Sequence, residues 1–251
     1  MGTQIIARGV FAESFATKYA PPVRRGLLAW HFLNEGLEKA ARNYAPGGPD
    51  AQVIGSPTAS SIKVAFKGDS DYIQTVIPEP LGELTMIMVG RSTDTMADDD
   101  HRPMFAGTYT GSAALGGGTS FGAGLYTPDA TKITFIRAKA EPGGASPTSA
   151  LGSITVDPTD WNLIIGTAYA DTGVNKLYGI TNGATKSGDP SSKVAWPSSN
   201  AMRIGSGYGG RYKGLCDMAF FALYNVRLTD EEIGLISADI RRYMASKGIV
   251  V

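Results

Sequence analysis

The segment Arg203–Ile233 constrains the fold more than any other part of this chain. After Arg203 and Ile204 come five glycines within ten residues, then a long apolar run, Leu215–Tyr224. Thr229 follows as a helix N-cap, with Glu232 three residues on to complete a capping box. Asp230 and Glu231 place negative charge at the positive end of the helix dipole. Ile233, Ile236, Ile240, Tyr243 and Met244 recur at three- and four-residue spacing and define one apolar face. Arg241, Arg242 and Lys247 crowd the last turns and Gly248 is a natural stop, so a helix is predicted over 229–247. The segment reads as strand, glycine turn, long apolar strand and capped helix.

The rest of the chain reads as β structure. Leu27–Phe32 is a short apolar run that suits a strand buried on both faces. Ile62–Phe66 alternates, turns through Lys67–Asp71 and resumes at Tyr72–Val76, which predicts a hairpin with a five-residue loop. Leu84–Val89, Met104–Ala106 and Trp161–Tyr169 are further strands. Leu125 and Tyr126 are expected to pair with Lys132–Arg137, and Lys176–Ile180 returns from Trp161–Tyr169. Asn182-Gly183 is a short turn signal. Residues 43–60, 92–103, 107–124 and 139–150 read as loops, the first with a short strand near Val53. Short strands separated by turns predict an all-β antiparallel sandwich rather than βαβ units.

Composition excludes several classes. A chain of 251 residues buries roughly 70–75% of its unfolded surface, enough for a core without disulfides. The single cysteine, Cys216, sits among apolar neighbours and reads as a buried thiol. Lys plus Arg and Asp plus Glu both number 23, so there is no broad basic footprint for nucleic acid. No apolar run is long enough for membrane insertion. The N-terminus lacks the pattern of a secretory signal, so the chain is expected to be made in a cytoplasm.

Residues 1–25 differ from the rest of the chain. Ile5, Ile6, Val10, Phe11, Phe15 and Tyr19 are large apolar groups in a stretch that ends at Pro21-Pro22. Six such groups predict an arm that packs on its own domain or on another subunit.

Several segments together resemble the laminin-G-like, pentraxin-type branch of the concanavalin A-like sandwiches. Gly26–Phe32 followed by Asn34, Glu35 and Gly36 looks like that family's opening strand. Ala65–Ile73 looks like its F-x-G-x-x-D-Y-I turn. Trp161–Tyr169 with Leu177–Gly183 looks like its central pair, and Ile204-Gly205 with Tyr212–Glu232 like its ending. The resemblance covers residues 26–247 and implies a jelly roll over 26–251 behind an arm over 1–25. Its long closing helix and arm are most similar to versions in tailed-phage virion proteins. That implies a non-enzymatic structural or binding protein of a tail, baseplate or head, located in the virion. Its partners would be other virion proteins and further copies of itself, with a trimer as first guess, and a host-surface glycan. The alternative is a carbohydrate-binding, lectin-like module; a glycan hydrolase or lyase ranks below both.

Chemistry is sparse. No acidic pair at even strand spacing answers to a glycosidase. Only His31 and His101 are available for a triad, and no nucleophile elbow accompanies them. His31 lies in an apolar strand and reads as a satisfied core histidine. Asp98, Asp99 and Asp100 are candidate ligands for Ca²⁺, the one cofactor considered, against the favoured reading of a solvated acidic loop. Asp69 and Asp71 are a second candidate, with turn capping as the favoured reading. For a sugar, the loop aromatics Tyr109, Tyr126, Trp196, Tyr208 and Tyr212 are candidate platforms, with Arg211 between the last two, against the favoured reading of interface or loop packing.

Overall fold

The structure is a computed structural model and describes residues 18–141, 147–171, 174–188 and 192–251. It is an antiparallel sandwich of two sheets, with one long helix laid on the outside of one of them. The helix-backed sheet holds β1 (Leu27–Phe32), β3 (Thr58–Ala59), β4 (Val64–Lys67), β6 (Leu84–Ser92), β13 (Asn162–Ala168), β14 (Lys176–Gly179), β15 (Ala184–Ser187) and β18 (Leu215–Tyr224). The second sheet holds β2 (Gln52–Ile54), β5 (Tyr72–Pro78), β7 (Met104–Gly107), β10 (Ala123–Asp129), β11 (Lys132–Ala140), β12 (Thr148–Thr155), β16 (Val194–Ala195) and β17 (Ala201–Ile204). A small ribbon, β8 (Gly111–Ser112) with β9 (Thr119–Ser120), and a short helix, α1 (Leu37–Ala41), complete the fold before α2 (Asp230–Ser246).

Strand β18 is the axis of the helix-backed sheet. One edge pairs with β6 along its length. The other pairs first with β4 and then, past Met218, with β1. Its side chains alternate between two cores. Cys216, Met218, Phe221 and Leu223 face the second sheet, with Met86, Met88, Phe105 and Phe135. Phe220, Ala222 and Tyr224 face α2, with Ile233, Ile236, Ile240 and Met244. A register shift between Met218 and Phe220 resets the alternation. The continuous apolar runs of β6, β13 and β18 follow from this: their sheet is covered on both faces. Burial pushes the Cys216 thiol well above its ordinary range.

The helix has the cap its sequence predicts. The Glu232 N–H donates to Thr229 Oγ1, and the Thr229 N–H donates to the Glu232 carboxylate. The predicted hairpin over 62–76 is corrected: β4 and β5 lie in opposite sheets, and Lys67–Asp71 carries the chain from one layer to the other. Val64, Phe66, Ile73 and Ile77 still point into one core, so alternation is kept while the pairing differs. Strand β12, within and beyond a predicted loop, pairs along β11.

Of the arm's six large apolar groups, Tyr19 is described. It packs on this chain's own sandwich, stacked on Trp30 with centroids 5.3 Å apart, and its hydroxyl donates to Asp239 Oδ2 at 2.6 Å. Ile5, Ile6, Val10, Phe11 and Phe15 lie outside the described residues. Among the described residues no helix is long and apolar enough to cross a membrane.

His31 is fully buried beside α1. Its Nδ1 lies 3.0 Å from the Ala40 carbonyl, which can only accept, so Nδ1 carries the proton. Burial pulls its pKa down from 6.5 to about 4. The unfolded chain therefore takes up a proton between pH 6.5 and about 4 that the folded chain refuses, and stability falls across that window. In His31→Gln this slope is expected to shrink by on the order of 3 kcal/mol over the window, read from urea midpoints against pH. Thr229→Ala is expected to cost about 1 kcal/mol by the same measurement, through loss of the cap.

Candidate functional site

Three connections meet at one rim of the sandwich: the crossover 67–71, the loop 93–103 and the glycine-rich loop 205–214. Two glycines set how closely they approach. A Cβ on Gly68 would stand 2.7 Å from Lys213 Cα, and one on Gly214 would stand 2.5 Å from the His101 carbonyl carbon and oxygen. Backbone bonds then tie the loops: Gly214 N–H to Arg102 O at 3.2 Å and Met104 N–H to Tyr212 O at 3.1 Å. The Asp69 N–H, at a left-handed φ of 66°, donates to Ser206 Oγ at 3.1 Å.

Between the loops lies an open cleft of about 550 Å³, lined by Lys67, Gly68, Ser70, Asp94, Asp100, His101, Lys213 and Leu215. Leu215 is 42% exposed and gives the cleft an apolar surface. Around it stand ammonium, hydroxyl, imidazole and carboxylate groups. Asp94 Oδ2 accepts the Leu215 N–H at 3.0 Å, and Asp100 pairs with Lys213 at 3.1 Å. The Lys67 ammonium makes no ion pair among the described residues.

The predicted acidic run spreads its carboxylates over separate cations. Asp98 meets His101 Nδ1 at 2.7 Å, Asp99 meets Arg102 and Arg211, and Asp100 meets Lys213. The hydrogen bond from His101 holds the Asp98 carboxyl below its ordinary range, and Asp98 in turn raises His101. The Arg211 guanidinium holds Asp99 down in the same way. Among the described residues no three His, Cys, Asp or Glu side chains are grouped to hold a metal ion. Asp71 accepts the Ser56 N–H at 2.7 Å and the Ser70 hydroxyl at 2.7 Å, so its carboxylate ties the turn to the connection after β2 rather than capping its own backbone.

The predicted aromatic platforms form two clusters and a stack. Tyr109, Tyr126 and Tyr212 pack together, Tyr126 and Tyr212 at 4.4 Å between centroids, and each is less than a tenth exposed. Trp196 is 5% exposed in a separate cluster with Ala113, Ala138 and Ala140. These four rings support the loops and offer no open face to a sugar. Tyr208 is half-buried; the Arg203 guanidinium covers its ring at 3.6 Å and its hydroxyl donates to Ala201 O at 2.8 Å. Arg211 is exposed, over the edge of this cluster and paired with Asp99. Sequence reasoning missed Lys67, Asp94, Lys213 and Leu215. A signal for two of them existed, since the alternation of Val64–Phe66 and of Cys216–Met218 turns Lys67 and Leu215 to the opposite, outward face.

No family model matches the sequence, and no curated protein matches it. Solved structures share its fold. The binding domain of botulinum neurotoxin DC in complex with SialylT aligns with a TM-score of 0.61 at 9% identity, over 86% of this chain and 52% of that one. The receptor-binding domain of the botulinum neurotoxin C/D mosaic serotype gives 0.59 at 11% identity, with the same coverage. A mutant Trypanosoma rangeli sialidase displaying trans-sialidase activity gives 0.55 at 16% identity, over 85% of this chain and 33% of that one. The chain thus spans about half the length of the neurotoxin domains and a third of the sialidase. At these identities the likeness is one of fold. None of these three is a virion protein.

Gly214→Ala is expected to cost about 1–3 kcal/mol, because the new methyl meets backbone that cannot swing aside. Gly234→Ala, on the exposed face of α2 with nothing within 4 Å, is expected to stabilise by about 0.5–1 kcal/mol. Denaturant midpoints of the two variants, shifting in opposite directions, check the assignment.

Proposed function

We propose that this chain is a carbohydrate-binding, lectin-like module that holds its ligand in the rim cleft and performs no chemistry on it. The observation that carries the reading is the cleft itself. An exposed Leu215 is ringed by the hydrogen-bonding side chains of Lys67, Ser70, Asp94, Asp100 and Lys213, on loops locked to a rigid sandwich. A sugar presents the matching surface, an apolar C–H face edged by hydroxyls. The loops are fixed by close glycine approaches, so little ordering entropy is spent on binding.

The fold neighbours support a binding role in kind: two are binding domains, and one of those is in complex with SialylT. They lend nothing to a place in a tailed-phage virion, so the lectin-like reading replaces it as the principal one.

A glycan array probed with the intact chain tests this. Binding is expected to a restricted set of glycans. Leu215→Asp and Lys213→Ala are each expected to weaken it about tenfold or more, which is 1.4 kcal/mol per factor of ten. Tyr126→Phe, inside the buried cluster, is expected to leave it unchanged. Release of reducing ends from a bound polysaccharide would replace the binding reading with a hydrolytic one, and a blank array would remove it.

A further inference from the structure

One wall of the cleft is sheet rather than loop. Lys67 ends β4 and Leu215 opens β18, and the two are paired in register. Two residues further along each strand, on the same face, lie Ala65 and Asp217, also paired. Asp217 faces Arg91 of β6 on its other side. Asn162 of β13 pairs with Gly90, which brings Trp161 beside Arg91. The sheet face that forms this wall therefore runs on from the cleft to Asp217 and Arg91, beyond the part that α2 covers.

Charge is unevenly placed there. Asp217 is 1% exposed, and its Oδ2 takes both Lys63 Nζ at 2.6 Å and the Arg91 guanidinium at 3.0 Å. Two cations, 28% and 36% exposed, thus share one buried carboxylate. The Arg91 guanidinium also lies 5.0 Å from the Trp161 ring centroid, so it is held on two sides, while its Nη1 donates to no described residue. Lys67, the third cation, has no ion pair among the described residues. The cleft's own acids stay charged: Asp100 is 62% exposed and shared with Lys213, and Asp94 accepts the Leu215 N–H. The excess of positive charge lies along the sheet, where Lys67, Lys63 and Arg91 stand over the single buried carboxylate of Asp217.

We infer that the ligand of the rim cleft is an acidic glycan, whose carboxylate or sulfate groups lie along Lys67, Lys63 and Arg91. The inference rests on the reading of the cleft as a glycan site and names the class of glycan. Leu215 meets the apolar face of a sugar ring, and the three cations meet the anionic group on the same or the next ring. Burial of Asp217 matters to this arrangement: the carboxylate fixes two cations in place without itself facing the ligand.

The test uses the intact chain against paired probes. Carboxylated oligosaccharides are immobilised beside their carboxyl-reduced forms, and sulfated ones beside their desulfated forms, with neutral glycans alongside. Acidic members are expected to bind at least about tenfold more tightly than their neutralised partners, and the difference is expected to shrink as salt rises. Lys67→Gln and Arg91→Gln are each expected to weaken acidic-probe binding about five- to tenfold. Lys67→Gln makes no change to a paired group, so it is expected to leave the melting temperature unchanged and separates lost binding from lost folding. Preference for the carboxylated or the sulfated pairs identifies the anionic group. Equal binding of acidic and neutralised partners overturns the inference and leaves the glycan site standing. Binding that survives both charge variants but is lost in Leu215→Asp has the same meaning. No binding to any probe overturns the site and the inference together.

Discussion

Strand β18 pairs along both edges and is covered on both faces, and the remainder of the molecule is arranged to make that possible. One edge needs β6 and the other needs β4 and β1 in succession. One face needs the second sheet and the other needs α2. From Cys216 onward an apolar strand in that position has paired edges and keeps its large side chains dry. The capped helix is then a requirement of the fold. Without it, Trp30, Phe220, Ile87, Val89, Leu163 and Ile165 would form an exposed apolar face on a sheet already closed on its other side.

The helix covers only part of that face, and the boundary falls at the register shift between Met218 and Phe220. On one side of it the outward residues of β18 are Phe220, Ala222 and Tyr224, beneath α2. On the other they are Asp217 and Leu215, next to the rim. A single irregularity thus separates a strand half that lies beneath the helix from a half that runs out to the rim cleft. The rim loops extend the open half, and their close approach at Gly68 and Gly214 gives the cleft fixed walls.

Much of this was legible in the sequence because it is local or periodic. The capping box at Thr229 and Glu232 needs only four residues and appears as read. Long apolar strands announce themselves by composition, and Cys216 and His31 lie buried as their neighbours imply. Pairing was less legible. Ile62–Val76 has the alternation of a hairpin, yet the crossover at Lys67–Asp71 sends its halves to different sheets, and alternation is the same for either partner. Which loop aromatics pack together was illegible for a related reason: Tyr109, Tyr126 and Tyr212 meet only once residues far apart in sequence are brought together. The cleft depends on the same long-range convergence of 67–71, 93–103 and 205–214, and ordinary lysines and aspartates carry no local mark of it.

Two buried carboxylates in this protein do different things, and the contrast bears on what each is for. Glu79 and Arg137 are both fully buried, 2.7 Å apart, with Thr108 and the Ser198 N–H also donating to Glu79 and Arg137 donating to Pro80 and Gly82 carbonyls. Every charge there is turned inward, where it pins the segment after β5 against the second sheet. Removing one partner of such a pair strands the other and costs about 3–5 kcal/mol. Asp217 is as deeply buried, but both of its cations reach solvent. A pair of that kind gains little stability over an apolar residue of the same size, because desolvation of the carboxylate offsets most of the attraction. What it does secure is position: Lys63 and Arg91 are held side by side, a strand apart, facing outward. A buried anion beneath two exposed cations is a means of fixing positive charge at a surface, and the place where this chain does so is the open end of its central strand.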